Sequence, residues 1–188
     1  MSGRLDGRKV VVLLAEGFED LEFWVTVMRL REEGAAVTIA GLSTEPVRGK
    51  NGLEAHADVL IADVKSTGVD AVVVPGGWAP DKLRRYEAVT GLVRAAHEGG
   101  AIVGLICHAG LVGISAGIVK GSRATGSLGI KDDLVNAGAI WVDEPALRDG
   151  TIVWGRVVED IPDFCRELVS AIEAKRPLML SRMLTTRS

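Results

Sequence analysis

The chain of 188 residues contains two cysteines, and one of them, Cys107, adjoins His108, one of only three histidines. The thiol closes an apolar run, "AIVGLIC" (101–107), and small residues follow it in "HAGLVGISAG" (108–117). Three roles fit a cysteine so placed: a structural thiol, half of a disulfide, or a nucleophile presented at the end of a buried strand. The last has a physical requirement. A free thiol has a pKa of about 8.5, so only a few per cent is thiolate at neutral pH. A helix starting directly after Cys107 would favour the anion through its N-terminal partial charge. A drop of roughly two units would leave most of the sulfur ionised, a differential stabilisation of about 2.7 kcal/mol.

Two other segments carry groups that such a nucleophile needs. "EGFEDLE" (16–22) places acids at 16, 19, 20 and 22, and "VVVPGG" (72–77) ends in Gly76 and Gly77. Glycines there would let backbone N–H groups approach an oxyanion without obstruction. His108 is suited to proton exchange. In an open parallel sheet, ligands bind outside the carboxyl ends of the strands, where these three segments would converge.

The elements that must position them follow from periodicity. "KVVVLLA" (9–15) is short, continuous and β-branched, as a strand buried on both faces should be. Residues 16–34 read as a helix, with Leu21, Trp24, Val25 and Met28 on one face and Gly34 as its stop. "AVTIAG" (36–41), "AVVVPGG" (71–77) and "AIVGLIC" (101–107) are the successor strands, with a helix over 87–98. Residues 42–60 read as turns with short hairpin strands, and 139–157 as an antiparallel feature turning at Asp149-Gly150. A helix from Pro162 to Ala174 closes the pattern. The expectation is an α/β fold, a three-layer sandwich with a mostly parallel central sheet, helices on both faces and a nucleophile elbow at Cys107. One domain spans 1–188, with a core over about 8–175 and a tail over 176–188 that is a candidate oligomer contact.

Composition excludes several classes. Hydrophobic residues make up 47% of the chain and aromatics only 4%, so the core is aliphatic and disorder is ruled out. The net charge of −3, with no basic block, argues against nucleic-acid binding. The short apolar stretch near the N-terminus does not fit a secretory signal, no segment reaches the ~18 apolar residues of a membrane span, and two cysteines make no disulfide framework. The expected setting is the cytoplasm.

The quoted segments, together with "GFEDLE" (17–22), "AP" (79–80), "ICH" (106–108), "ISAG" (114–117) and "GIKDDLVNAG" (129–138), resemble the ThiJ/PfpI superfamily, whose fold is related to class I glutamine amidotransferases. The PfpI-type intracellular protease branch is the most similar. The resemblance implies a nucleophile at Cys107 with His108 beside it, and a Glu19 carboxyl hydrogen-bonded to the sulfur. It implies oxyanion donors at the N–H groups of Gly77 and His108, within a substrate-binding set of Gly76, Gly77, Trp78 and Ala109. It also implies homo-oligomers, dimeric or hexameric, in which Asp81 serves a neighbour's site. No cofactor and no metal are implied. The sequence departs from the family pattern at Ala109-Gly110, at Gly126-Ser127-Leu128 and at Val157-Val158, which puts the substrate surroundings in question.

The activity implied is that of a cysteine-dependent hydrolase acting on a peptide or a small carbonyl compound, as peptidase, glyoxalase or deglycase. The alternative is a non-enzymatic redox sensor working by oxidation of Cys107. Other signals have simpler readings. Gly113-Ile114-Ser115-Ala116-Gly117 matches a serine-hydrolase pattern, yet Ser115 falls two helical turns past the elbow. His56 and His97 read as surface residues, Cys165 as a core thiol, and Trp24 as a core or interface residue. Glu16, Asp20 and Glu22 read as a solvated acid-rich helix start rather than a metal cluster. Lys131-Asp132-Asp133 reads as helix capping.

Overall fold

The computed structural model describes residues 3–175. The tail expected as an oligomer contact lies outside the described residues. The chain runs through β1 (Lys9–Leu14), α1 (Asp20–Glu32), β2 (Ala36–Gly41), β3 (Val47–Arg48), β4 (Glu54–Ala55), β5 (Val59–Leu60) and β6 (Ala71–Val74). It continues through α2 (Ala79–Leu83), α3 (Glu87–Glu98), β7 (Ile102–Ile106), α4 (Gly110–Ala116), β8 (Arg123–Ala124) and α5 (Lys131–Asn136). β9 (Ile140–Trp141), β10 (Ala146–Asp149), β11 (Ile152–Gly155) and α6 (Ile161–Ala174) complete it.

Seven strands form the central sheet in the order β10-β11-β7-β6-β1-β2-β5. All neighbours are parallel except β10, which returns antiparallel to β11 across the Asp149-Gly150 turn. The aliphatic runs of β1, β6 and β7 are buried on both faces because helices cover both. α1 and α6 pack on one side; α3 and α4 pack together on the other. The expected three-layer α/β sandwich is therefore the fold. β3 and β4 make the small hairpin expected between residues 42 and 60.

The chain moves from β1 to β2 on one side, then crosses back to β6 on β1's other side, so the sheet's switch point lies between β1 and β6. The exits of these strands are joined directly. Trp78 N–H donates to the Gly17 carbonyl at 2.7 Å and Glu19 N–H to the Gly76 carbonyl at 3.1 Å.

The rotation of α1 corrects the expectation. Leu21 and Met28 are 47% and 57% exposed, and Trp24 and Val25 are only half-buried. The buried face carries Phe23, Thr26, Val27 and Leu30, together with Asp20 and Glu22. Two apolar stripes compete on this helix, and the buried one is interrupted by polar residues that hydrophobic periodicity counts against it. Those polar residues have partners at the helix start, described below, and the partners set the rotation.

In urea denaturation, Phe23→Ala should therefore cost about 3–5 kcal/mol. Met28→Lys should stay within about 0.5 kcal/mol of wild type; the reverse order would restore the expected face.

Candidate active site

Cys107 follows β7 and opens one 3-10 turn, Cys107–Ala109, that leads into α4. Its φ of 61° is the only positive value of a non-glycine among the described residues. A β-carbon is disfavoured there, and the turn is held from behind. Ser127 N–H donates to the Cys107 carbonyl at 3.2 Å, and a β-carbon on Gly126 would stand 2.9 Å from that oxygen. The departure at residues 126–128 thus supports the elbow from behind. Leu128 is exposed and does not line the cavity in front of the sulfur.

The sulfur is half-buried in that cavity, of about 470 Å3, lined by Lys50, Gly77, Trp78, Asp81, Lys82, Arg85, Cys107, His108 and Leu111. His108 Nδ1 lies 3.2 Å from Sγ, and the backbone of His108 and Gly77 favours the anionic form of the sulfur. Burial, then the Lys50 charge, lowers the pKa of His108, so the imidazole is neutral at pH 7.

Glu19 does not fill the role the resemblance implied. It is the N-cap of α1, accepting from Glu22 N–H at 2.8 Å and from Asn51 Nδ2 at 3.1 Å. The carboxyl that meets the thiol is Glu22, three residues on. In the helix, position 22 turns toward the sheet while position 19 faces back along the axis to the free N–H groups. Nor are Asp20 and Glu22 solvated: both are buried, Asp20 accepting from Asn51 N–H and Leu53 N–H. Among the described residues no acidic, histidine or cysteine cluster fits a metal.

Gly76 departs from its expected role as well. Its N–H donates to Glu22 Oε2 at 2.7 Å and is not free for an oxyanion. A β-carbon on Gly76 would stand 2.5 Å from Glu22 Oε2 and 2.7 Å from the Cys107 β-carbon. Gly77 adopts φ 78° where a β-carbon would meet the backbone of residues 17–19. Ala109 is buried under the elbow, outside the cavity lining. Trp78 is 66% exposed, lies over Gly17 and lines the cavity. Asp81 lines this chain's own cavity and pairs with Arg85. Away from the site, Ser115 Oγ accepts from Arg84 Nε at 2.9 Å, Cys165 is buried against Thr26, and His97 bonds Thr151. His56 is exposed. Lys50, Lys82, Arg85 and Leu111 lay outside the sequence reading. Lys82 and Arg85 had a usable signal, one and four residues past Asp81 on a helix, whereas Lys50 arrives from a separate hairpin.

The electrostatics also differ from the expected helix effect. Burial, reinforced by the Glu22 charge and hydrogen bond, pushes the Cys107 thiol up to about 12. Burial likewise raises Glu22 from 4.5 to about 7, against the Gly76 N–H bond. Desolvation of a seven-residue helix start outweighs its dipole. The two groups titrate as a pair that holds one proton above about pH 7. With that proton on Glu22, the carboxyl can donate to the sulfur anion, which the backbone of His108 and Gly77 also favours. With it on sulfur, the thiol can donate to the carboxylate, which also holds the Gly76 N–H. The carboxyl, at about 7, gives up its proton before the thiol, at about 12, so the shared proton rests mainly on sulfur and the thiolate is the minor form of the pair.

Sequence comparison matches residues 8–171 to the DJ-1/PfpI family. Deglycase PfpI of Pyrococcus furiosus is 36% identical over 165 residues, covering 88% of this chain and 99% of the relative. Drosophila melanogaster DJ-1beta superposes with a TM-score of 0.84 at 29% identity, covering 89% and 91% of the two chains. A two-domain Anabaena variabilis protein with DJ-1/ThiJ/PfpI-like and ferritin-like domains gives 0.86 at 33% identity. That match covers 90% of this chain and 52% of the other.

Two variants separate the acids. Alkylation of Cys107 by iodoacetamide should rise in two pH steps in wild type and in Glu19→Ala, but in one step in Glu22→Gln. Glu19→Ala should lose about 1 kcal/mol through its cap. Because the folded pKa of Glu22 is raised, its stabilising share is full below about 4.5 and is lost as pH rises through about 7. Glu22→Gln should thus gain about 3 kcal/mol on wild type between pH 4 and pH 8, read from urea midpoints at both; an equal offset at the two would contradict the shift.

Proposed function

Because the chain belongs to the DJ-1/PfpI family, we propose that it is a cysteine-dependent hydrolase of small carbonyl adducts, a deglycase with Cys107 as nucleophile. The observation that carries this reading is a sulfur on a left-handed turn, facing a cavity of small-ligand size, with the His108 ring 3.2 Å away. The volume favours a small carbonyl group over a peptide chain, and the name of the Pyrococcus furiosus relative supports the same choice.

The chemistry follows from the groups present. The thiolate attacks the carbonyl carbon and a C–S bond forms. The oxygen gains the electron pair of the C=O bond, and the N–H groups of Gly77 and His108 are placed to receive it. Neutral His108, 3.2 Å from the sulfur, accepts or returns a proton as the bond forms or breaks. For a hemiaminal adduct of methylglyoxal on an amine, the C–N bond breaks first: the amine leaves with the hydroxyl proton, C=O reforms at the former aldehyde carbon, and the thiolate attacks that carbon to give the thiohemiacetal. Rearrangement within the thiohemiacetal moves hydrogen from the former aldehyde carbon to its neighbour, giving a lactoyl thioester. Water then cleaves the C–S bond. The sum is adduct plus water giving free amine plus lactate and a proton, with no external oxidant.

Lactate release from methylglyoxal-treated N-acetyl-lysine, followed alongside cleavage of an unstructured peptide, tests the assignment. Cys107→Ser should lower turnover by at least about 10³-fold. Undiminished turnover in that variant would overturn the mechanism. Stable oxidation of Cys107 by mild peroxide with no turnover on either substrate would instead assign redox sensing.

A further inference from the structure

The cavity wall carries three cations, Lys50, Lys82 and Arg85, against one acid, Asp81. Arg85 is paired with Asp81. Neither Lys50 nor Lys82 has an ion-pair partner among the described residues. Lys50 is close enough for its charge to act on both His108 and Glu22.

Its location is built with care. Lys50 lies in the turn between β3 and β4, and its own N–H donates to the Phe18 carbonyl at 2.9 Å. Both oxygens of buried Asp20 grip the same turn, through Asn51 N–H at 2.8 Å and Leu53 N–H at 2.7 Å. Glu19 adds the Asn51 side chain at 3.1 Å. Gly49 lies so close that a β-carbon would meet the Asp20 carboxylate at 2.4 Å. A buried carboxylate spent on holding a surface turn fixes a cation beside a thiol.

We propose that Lys50 and Lys82 form an anion-recognition subsite on the wall of the Cys107 cavity, which selects carbonyl compounds bearing a carboxylate or a phosphate over neutral ones. This deepens the hydrolase reading and rests on Cys107 being the nucleophile. A carboxylate or phosphate on the substrate supplies the counter-charge that the protein withholds, and its contact with Lys50 orients the carbonyl toward the sulfur.

The test needs no knowledge of the natural substrate. Iodoacetate and iodoacetamide deliver nearly the same group to a thiol and differ in one negative charge. The ratio of their rate constants at Cys107 in the full chain, divided by the same ratio in the urea-unfolded chain, reports anion preference alone. It should exceed unity, fall about fivefold in Lys50→Met, fall further in Lys50→Met/Lys82→Met, and be retained in Lys50→Arg. A ratio equal to that of the unfolded chain, or unchanged in Lys50→Met, overturns the proposal while leaving the nucleophile intact. Equal slowing of both reagents in Lys50→Met also overturns it, because Lys50 would then act on the sulfur rather than on the ligand. A native Cys107 inert to both reagents removes the nucleophile reading and this proposal together. Protection against iodoacetamide separates the two anions: inorganic phosphate protecting at lower concentration than acetate assigns phosphate-bearing substrates, the reverse order assigns carboxylates, and protection by neither overturns the subsite.

Discussion

Residue 76 has no room for a side chain, and the site depends on that. A single β-carbon there would occupy the space in which the Glu22 carboxyl and the Cys107 β-carbon approach one another. Three strand exits and one helix start meet around this point. β6 supplies the Gly76 N–H to Glu22, β7 supplies the sulfur, and the exit of β1 is laced to Gly76 and Gly77 before α1 begins. The parallel order that puts β1, β6 and β7 side by side brings the exits within reach, and the absent side chain lets them close. The rotation of α1 follows from the same closure, since Glu22 must face the sheet.

The chemistry of the site is that of a desolvated acid and a desolvated thiol sharing protons. Each group alone is pushed toward its neutral form by burial. Together they carry one negative charge, and the surrounding N–H groups decide which atom holds it. The Gly76 N–H bonds the carboxylate, and the backbone of His108 and Gly77 favours the anionic sulfur. A buried acid of this kind costs stability at neutral pH, a common expense of functional sites.

The layered fold was legible because its signals are local. Continuous β-branched runs marked β1 and β6, and the helix over 87–98 and the strand over 36–41 fall where periodicity put them. The elbow was legible for the same reason: an apolar strand, a cysteine and small residues in unbroken order. Glu19 and Glu22 were not separable by type, since both are glutamates at the start of one helix. Their roles are divided by helix geometry, which sends one to the cap and the other to the sheet. Leu21 and Met28 misled because the true buried face carries Asp20, Glu22 and Thr26, polar residues whose partners lie far away in the chain. Lys50 left no trace for a related reason. It reaches the cavity through a hairpin 57 residues before Cys107, and nothing in the turn's composition names its destination.

The clamp on that hairpin acts on the main chain. Asp20 holds the N–H groups of Asn51 and Leu53, and the Phe18 carbonyl holds that of Lys50, groups that every residue except proline possesses. The anchoring is therefore indifferent to which side chain position 50 displays. A substitution there alters what faces the cavity without moving the loop, and reaches Glu22 and His108 only through the charge it adds or removes. The scaffold separates address from content: single exchanges at this position can change what the cavity displays while the loop and the placement of the proton-sharing pair are inherited.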